Sequence, residues 1–292
     1  MPSAPGTFCL SIDLELAWGN WDRLTPEDLK NCRELERPVA ARVLELFDRH
    51  DIPATWAIVG RLLEKPAANE SRPGDESAWY APDIIEKILA AKTPQEIGSH
   101  GFAHIYYAEC GAEAARADVA AAKSVHAKHG LPFSSFVFPR NQVAHLDLLA
   151  AAGIRVYRSL DRCWAEDVRR VNRTAGRAAN LLDKIVSLPP RTVATEARRD
   201  GMIDLPSSML FFRRNGLRRL ITDGNLEAKI RAGLRRAVER KEIFHLWFHP
   251  DTFFYRTDAQ FKVLDSILSH ASELRRRGEL RIIPMAGFAG SA

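Results

Sequence analysis

The sequence predicts an α/β fold, a distorted (β/α) barrel of about seven to eight parallel strands, and three observations carry that expectation. Short apolar runs recur at Phe8–Asp13, Ala54–Val59, Glu96–Ser99, Ser135–Phe138, Ile154–Tyr157, Met202–Leu205, Ile243–Phe248 and Leu280–Pro284. Helical patterns lie between most of them, and such alternation implies a parallel sheet. Asp13, His100, Arg140, Asp204 and His249 stand at or just past the ends of these runs. That is where the βα loops of a barrel gather and where its chemistry sits.

Each element has a local cause. Phe8 to Leu14 reads as a buried strand, and its period of two puts Asp13 and Glu15 on one side. Thr25-Pro26 marks a helix start. Pro38 to His50 places Val39, Val43, Leu46 and Phe47 on one stripe; Ala259 to Arg277, after a start at Asp258, does the same with Phe261, Leu264, Ile267, Leu268, Ala271 and Leu274. Pro250 stops the run that ends at Phe248. Two insertions interrupt the alternation. Residues 65–82 are rich in Pro, Gly, Ser and acids and carry Trp79-Tyr80; residues 161–201 hold a helical pattern at Arg173–Asp183 and then Pro189-Pro190. Both are expected to be lids or binding walls. With no repeat and no linker, one domain is expected over residues 1–292.

A 46% apolar and 27% charged composition is that of a globular chain, not a disordered one. The net charge of +5 is spread over the chain, and Arg235-Arg236 and Arg275-Arg276-Arg277 read as solvated helix faces, so no nucleic-acid partner is expected. The excess remains compatible with attraction of an anionic substrate. No apolar stretch reaches eighteen residues, which excludes a membrane-spanning helix. Cys9, Cys32, Cys110 and Cys163 are widely spaced and read as reduced packing residues. As Met1 to Gly6 shows no leader pattern, the expected compartment is the cytoplasm. Oligomeric state is left open.

The segment Gln95 to His104 runs an apolar stretch into His100 and His104. Four positions apart, the two can share one face of a helical turn and aim at one metal ion. Asp13 and Glu15 offer a division of labour, one carboxylate completing a His-His-carboxylate site and the other left as proton acceptor; two solvated acids are the plainer alternative. His249 ends a third apolar strand, whereas His245 reads as structural. Trp18, Trp79, Trp164 and Trp247 are candidates for sugar stacking or for burial.

Taken in order, these segments resemble the polysaccharide deacetylase family, the NodB-homology or carbohydrate esterase family 4 enzymes. Ser11-Ile12-Asp13-Leu14-Glu15 resembles its Thr-Phe-Asp-Asp motif, although here a leucine separates the acids. His100 to His104 resembles its His-Ser/Thr-x-x-His segment, Phe138-Pro139-Arg140-Asn141 stands at its Arg-x-Pro motif with the proline first, and Leu246-Trp247-Phe248-His249 matches its Leu-x-x-His. The resemblance implies a distorted barrel of NodB type and a metal-dependent hydrolase that removes an N-acetyl group from an amino sugar. Glu15, His100 and His104 would hold one divalent ion, zinc foremost, with Co2+, Mn2+, Ni2+ or Fe2+ as alternatives. Asp13 would be the general base and His249 the proton donor to the leaving amine. Arg140 is expected to pair with Asp13, or to bind a substrate carboxylate or phosphate. Asp204 is expected to accept the second ring proton of His249, or to cap the turn at Leu205-Pro206. A metal-independent cyclic amide or imide hydrolase and a non-catalytic glycan-binding protein are the rival functions.

Overall fold

The computed structural model describes residues 4–66, 72–159, 188–197 and 200–290. Its strands are β1 (Gly6–Leu14), β2 (Thr55–Ile58), β3 (Glu96–Ser99), β4 (Ser135–Val137), β5 (Val156–Ser159), β6 (Glu196–Ala197), β7 (Ile203–Pro206), β8 (Met209–Leu210), β9 (Ile243–Phe248) and β10 (Leu280–Ile282). The described helices are α1 (Pro26–Glu34), α2 (Glu36–His50), α3 (Pro82–Leu89), α4 (Ala112–Lys128), α5 (Leu146–Ala152), α6 (Asp223–Arg240) and α7 (Thr257–Arg276). None is long and apolar enough to cross a membrane.

The strands form one sheet in the order β6-β7-β5-β4-β3-β2-β1-β9-β8, parallel throughout except for β6 against β7, with β10 added beside the start of β1. Only Ser207 and Ser208 separate β7 from β8, so a single stretch of chain pairs first with β5 and then with β9. The two ends of the order are thereby drawn together, and the expected distorted barrel is borne out.

Side-chain alternation separates the clusters outside the barrel from the one inside it. Phe8, Leu10, Ile12 and Leu14 of β1 and Phe244, Leu246 and Phe248 of β9 face outward and pack with Val43 and Phe47 of α2 and Leu264 and Ile267 of α7. Truncating one such aromatic to alanine costs about 3–5 kcal/mol. The inner positions Cys9, Ala57, Val137, Val156, Leu205 and Ile243 form a second cluster, closed by Met285 and Phe288 from the C-terminal segment. The helix start at Thr25 is a full capping box with Asp28. The expected helix at Arg173–Asp183, together with Cys163 and Trp164, lies outside the described residues.

The described part of the first insertion does not wall the groove described below. Trp79 is 1% exposed, accepts the Trp18 indole N–H on its backbone oxygen at 2.7 Å, and meets the Trp18 ring edge-on. It buttresses the turn that follows β1 from behind.

Candidate metal centre and active site

The floor of the site is an ion pair inside the barrel. Asp13 shares the inward parity of Cys9 and Ser11, and its carboxylate accepts both arms of Arg158 at 2.7 and 2.6 Å. Both residues are buried, so each charge depends on the other. Arg158 also donates to Ser11 Oγ at 3.0 Å and Asn141 Oδ1 at 3.2 Å, and lies over the Trp247 ring. Ser11 Oγ meets His245 Nε2 at 2.9 Å. Burial, reinforced by Arg158, lowers His245 to about 3, so this imidazole stays neutral. Burial alone would raise Asp13, but Arg158, with help from His100 and His249, makes the net shift downward.

Glu15 sits one step past β1, where a 3-10 turn (Leu16–Asn20) begins and Leu16 takes a positive φ of 48°. An added Cβ at Gly19 in that turn would lie 1.9 Å from Glu15 Oε2 and displace that carboxylate. His100 follows β3, its backbone N–H donating to Ile58 O at 2.8 Å. His104 is reached through a loop with positive φ at Gly101 and at His104 itself, not through the expected helical turn. The two rings nonetheless end with centroids 5.0 Å apart.

Hydrogen bonding assigns the tautomer of His100. Its Nδ1 is 2.7 Å from Val137 O, an oxygen that can only accept, so Nδ1 carries the proton. A neutral ring then aims the Nε2 lone pair at Glu15 Oε1, 2.8 Å away. His104 Nε2 approaches the same oxygen at 3.2 Å, while its Nδ1 is buried without a hydrogen-bond partner. Converging lone pairs repel unless a proton or a cation lies among them. Two imidazole nitrogens and a carboxylate are the donor set of a first-row divalent ion, and a carbonyl fixing the far nitrogen is the usual support for such a ligand. Glu15, His100 and His104 lie close enough together to share one ion, as do Asp13, Glu15 and His249.

His249 follows β9, its Nε2 3.4 Å from Glu15 Oε1 and 3.7 Å from Asp13 Oδ2. Burial would lower it, but Glu15, then Asp13 and Asp251, raise it to about 10. Burial likewise raises Glu15, and His249 and His104 reverse the sign, leaving its carboxyl well below the usual range. An open groove of about 240 Å³ leads to these groups, lined in part by Arg23, Arg140, Trp247 and Asp251. The Trp247 ring lies edge-on to His249.

Two expected roles are corrected. Arg140 does not reach Asp13: it turns outward with φ 53°, donates to Asp22 at 3.0 and 2.8 Å, and covers the Tyr106 ring. Arg158 takes the pairing instead. Asp204 does not serve His249, because Ile203 and Leu205 are the inward residues of β7 and period two sends Asp204 to the other side, where its Oδ1 is buried without a partner. Trp18, Trp79 and Trp247 are buried, whereas Trp21 is 46% exposed and donates to His104 O. Arg158 carried the same signal as Asp13 and His249, a charge ending an apolar strand. The predicted run Ile154–Tyr157 stopped one residue short of it.

The comparisons agree with this architecture. Residues 24–156 match the model of the polysaccharide deacetylase family, a span holding His100, His104 and Arg140 but neither the Asp13–Glu15 pair nor His249. Two solved structures assigned as polysaccharide deacetylases superpose over nearly the whole chain. One, from Mycobacterium smegmatis, has a TM-score of 0.68 at 15% identity and covers 100% of this chain and 91% of its own. The other, from Pseudomonas aeruginosa PAO1, has a TM-score of 0.65 at 12% identity, covering 97% and 89%. A PuuE allantoinase superposes as well, at TM-score 0.66, 13% identity, and 99% and 91% coverage. No curated protein matches the chain in sequence. The resemblance to the polysaccharide deacetylase family is borne out over residues 24–156, and the fold it implies over nearly the whole chain.

Proposed function

We propose that this chain is a divalent-metal-dependent hydrolase that removes an N-acetyl group from an amino sugar in a glycan or glycan precursor, with zinc as the resident ion. The observation that carries this reading is the convergence of His100 Nε2 and His104 Nε2 on Glu15 Oε1 beside an arginine-clamped Asp13. Glu15, His100 and His104 would hold the ion, which when bound would supply Lewis acidity to an acyl oxygen and a water.

The remaining work falls to the chain's own side chains. Asp13, kept ionised and oriented by Arg158, accepts a proton from the attacking water through Oδ2. The water oxygen bonds to the acyl carbon and the carbon–nitrogen bond breaks. As that bond breaks, His249 delivers the Nε2 proton to the nitrogen, which could not leave as an anion. With 3.7 Å between Asp13 Oδ2 and His249 Nε2, the proton gained by the acid can return to the imidazole and reset the site.

The test compares acetate release from an N-acetyl amino sugar and from an activated acetate ester. Amide cleavage needs the proton more, so His249→Ala should cost about a hundredfold or more on the amide and far less on the ester. Equal losses would reduce His249 to a positioning group. Acetate from neither substrate in the wild type would favour a cyclic-amide hydrolase or a binding protein.

A further inference from the structure

We propose that Asp118, a residue of α4 outside the ligand set, is the positioning residue that fixes His104 relative to His100 and so sets the cation affinity of the centre. The inference rests on the metal reading above. In a helical turn the backbone itself would hold two histidines four apart in register. Residues 100–104 have no hydrogen bond among their own backbone groups, and the positive φ of Gly101 (75°) and His104 (55°) carries the chain away from a helix.

Asp118 replaces the missing ladder. Its Oδ2 accepts the Phe102 N–H at 2.8 Å and its Oδ1 the Ala103 N–H at 2.9 Å, while the Tyr107 hydroxyl donates to Oδ2 at 2.8 Å. From the opposite side, Gly60 and Arg61 donate backbone N–H groups to the carbonyls of Gly101 and Phe102. The loop is therefore gripped on both edges between the end of β2 and α4. Asp118 is 6% exposed and is in no ion pair with a described residue. A carboxylate buried against neutral donors alone is a costly placement, and packing by itself does not call for one. Gly101 fits the same arrangement, since a Cβ there would come within 2.8 Å of Asp118 Oδ2.

The two histidines depend on this grip unequally. Val137 O anchors the far ring nitrogen of His100, whereas Nδ1 of His104 is unpartnered, so the aim of His104 rests on its backbone and on the edge-on packing of its ring against His100 and Tyr106. Asparagine at position 118 could accept one of the two N–H groups but would turn its NH2 toward the other.

The experiment is a Co2+ titration of the metal-free full-length protein, read as visible absorption and as affinity in competition with a chelator. Asp118→Asn should weaken Co2+ binding about 10–100-fold and alter the absorption bands, the size typical for loss of a group that orients a ligand. Tyr107→Phe keeps both backbone bonds and should retain the wild-type spectrum. Wild-type affinity and bands in Asp118→Asn would overturn the proposal, and so would an equal loss in Tyr107→Phe, which would trace the effect to packing. Should Asp118→Asn not fold, Gly101→Ala displaces the same carboxylate, and unchanged Co2+ binding there would overturn the proposal as well. A wild type that binds no Co2+ defeats the metal reading and the clamp together, whereas wild-type binding with an indifferent Asp118 defeats the clamp alone.

Discussion

Glu96 enters the barrel where β3 begins, and Glu15 stands past the end of β1, so the two carboxylates occupy opposite ends of one sheet. Glu96 is satisfied by neutral groups, the hydroxyls of Thr55 and Ser135 and the backbone N–H of Ala286, and burial leaves its carboxyl raised. Through those bonds it ties the C-terminal plug to the sheet. Glu15 and its neighbour Asp13 meet imidazoles and a guanidinium, and both are lowered despite burial. The same functional group is structural where it meets hydroxyls and chemically committed where it meets cationic and metal-binding partners. In a barrel the second environment belongs to the strand ends.

The contrast breaks most severely at the ligands. His100→Ala or His104→Ala should abolish retention of the ion in a protein that still folds, as elemental analysis would register. Asp13→Asn should keep the ion yet lose about 10²–10⁴ in turnover, while Glu15→Gln should weaken ion binding. The reverse pattern would mean that the roles of the two acids are exchanged.

Next in size are the partners of the two ends. Arg158→Met leaves Asp13 buried without its counter-charge and should destabilise the fold by about 3–5 kcal/mol in chemical denaturation, with turnover lost. Glu96→Gln should cost about 1–3 kcal/mol and leave turnover intact. Similar kinetic damage from both would erase the distinction between the ends.

A pH profile sharpens it further. His249 is raised from an ordinary 6.5 to about 10, so the stability that its pairing with Glu15 and Asp13 lends the metal-free protein is complete below about 6.5 and is lost as pH climbs toward 10. His249→Gln should flatten the fall in metal-free Tm across that window; an unchanged slope would assign the proton elsewhere. The smallest effect is expected at Arg140, whose pair with Asp22 is about one-third exposed on each side. Arg140→Gln should cost less than about 1 kcal/mol and leave kcat nearly unchanged, in contrast to Arg158→Met.

What the sequence determined by itself is the set of features that depend on near neighbours. Apolar runs and their alternation predicted β3 and β9 to the residue, and the sheet follows because such strands bury both faces. Period two put Asp13 and Glu15 on one side, and the order of the motifs brought out the family resemblance. Tertiary structure decided the pairings. Arg158 reaches Asp13 across 145 positions, and Arg140 stands at a strand end yet is turned away by a positive φ that no run of residue types announces. Asp204 lies within its strand, and its parity depends on which neighbours face inward. Asp118 resembles any polar residue on a helix until the loop it grips is folded against it. Local patterns decide which side chains stand at the mouth of a barrel; which of them touch depends on closure of the sheet, because hydrogen bonds and ion pairs act over a few ångströms between residues far apart in the chain.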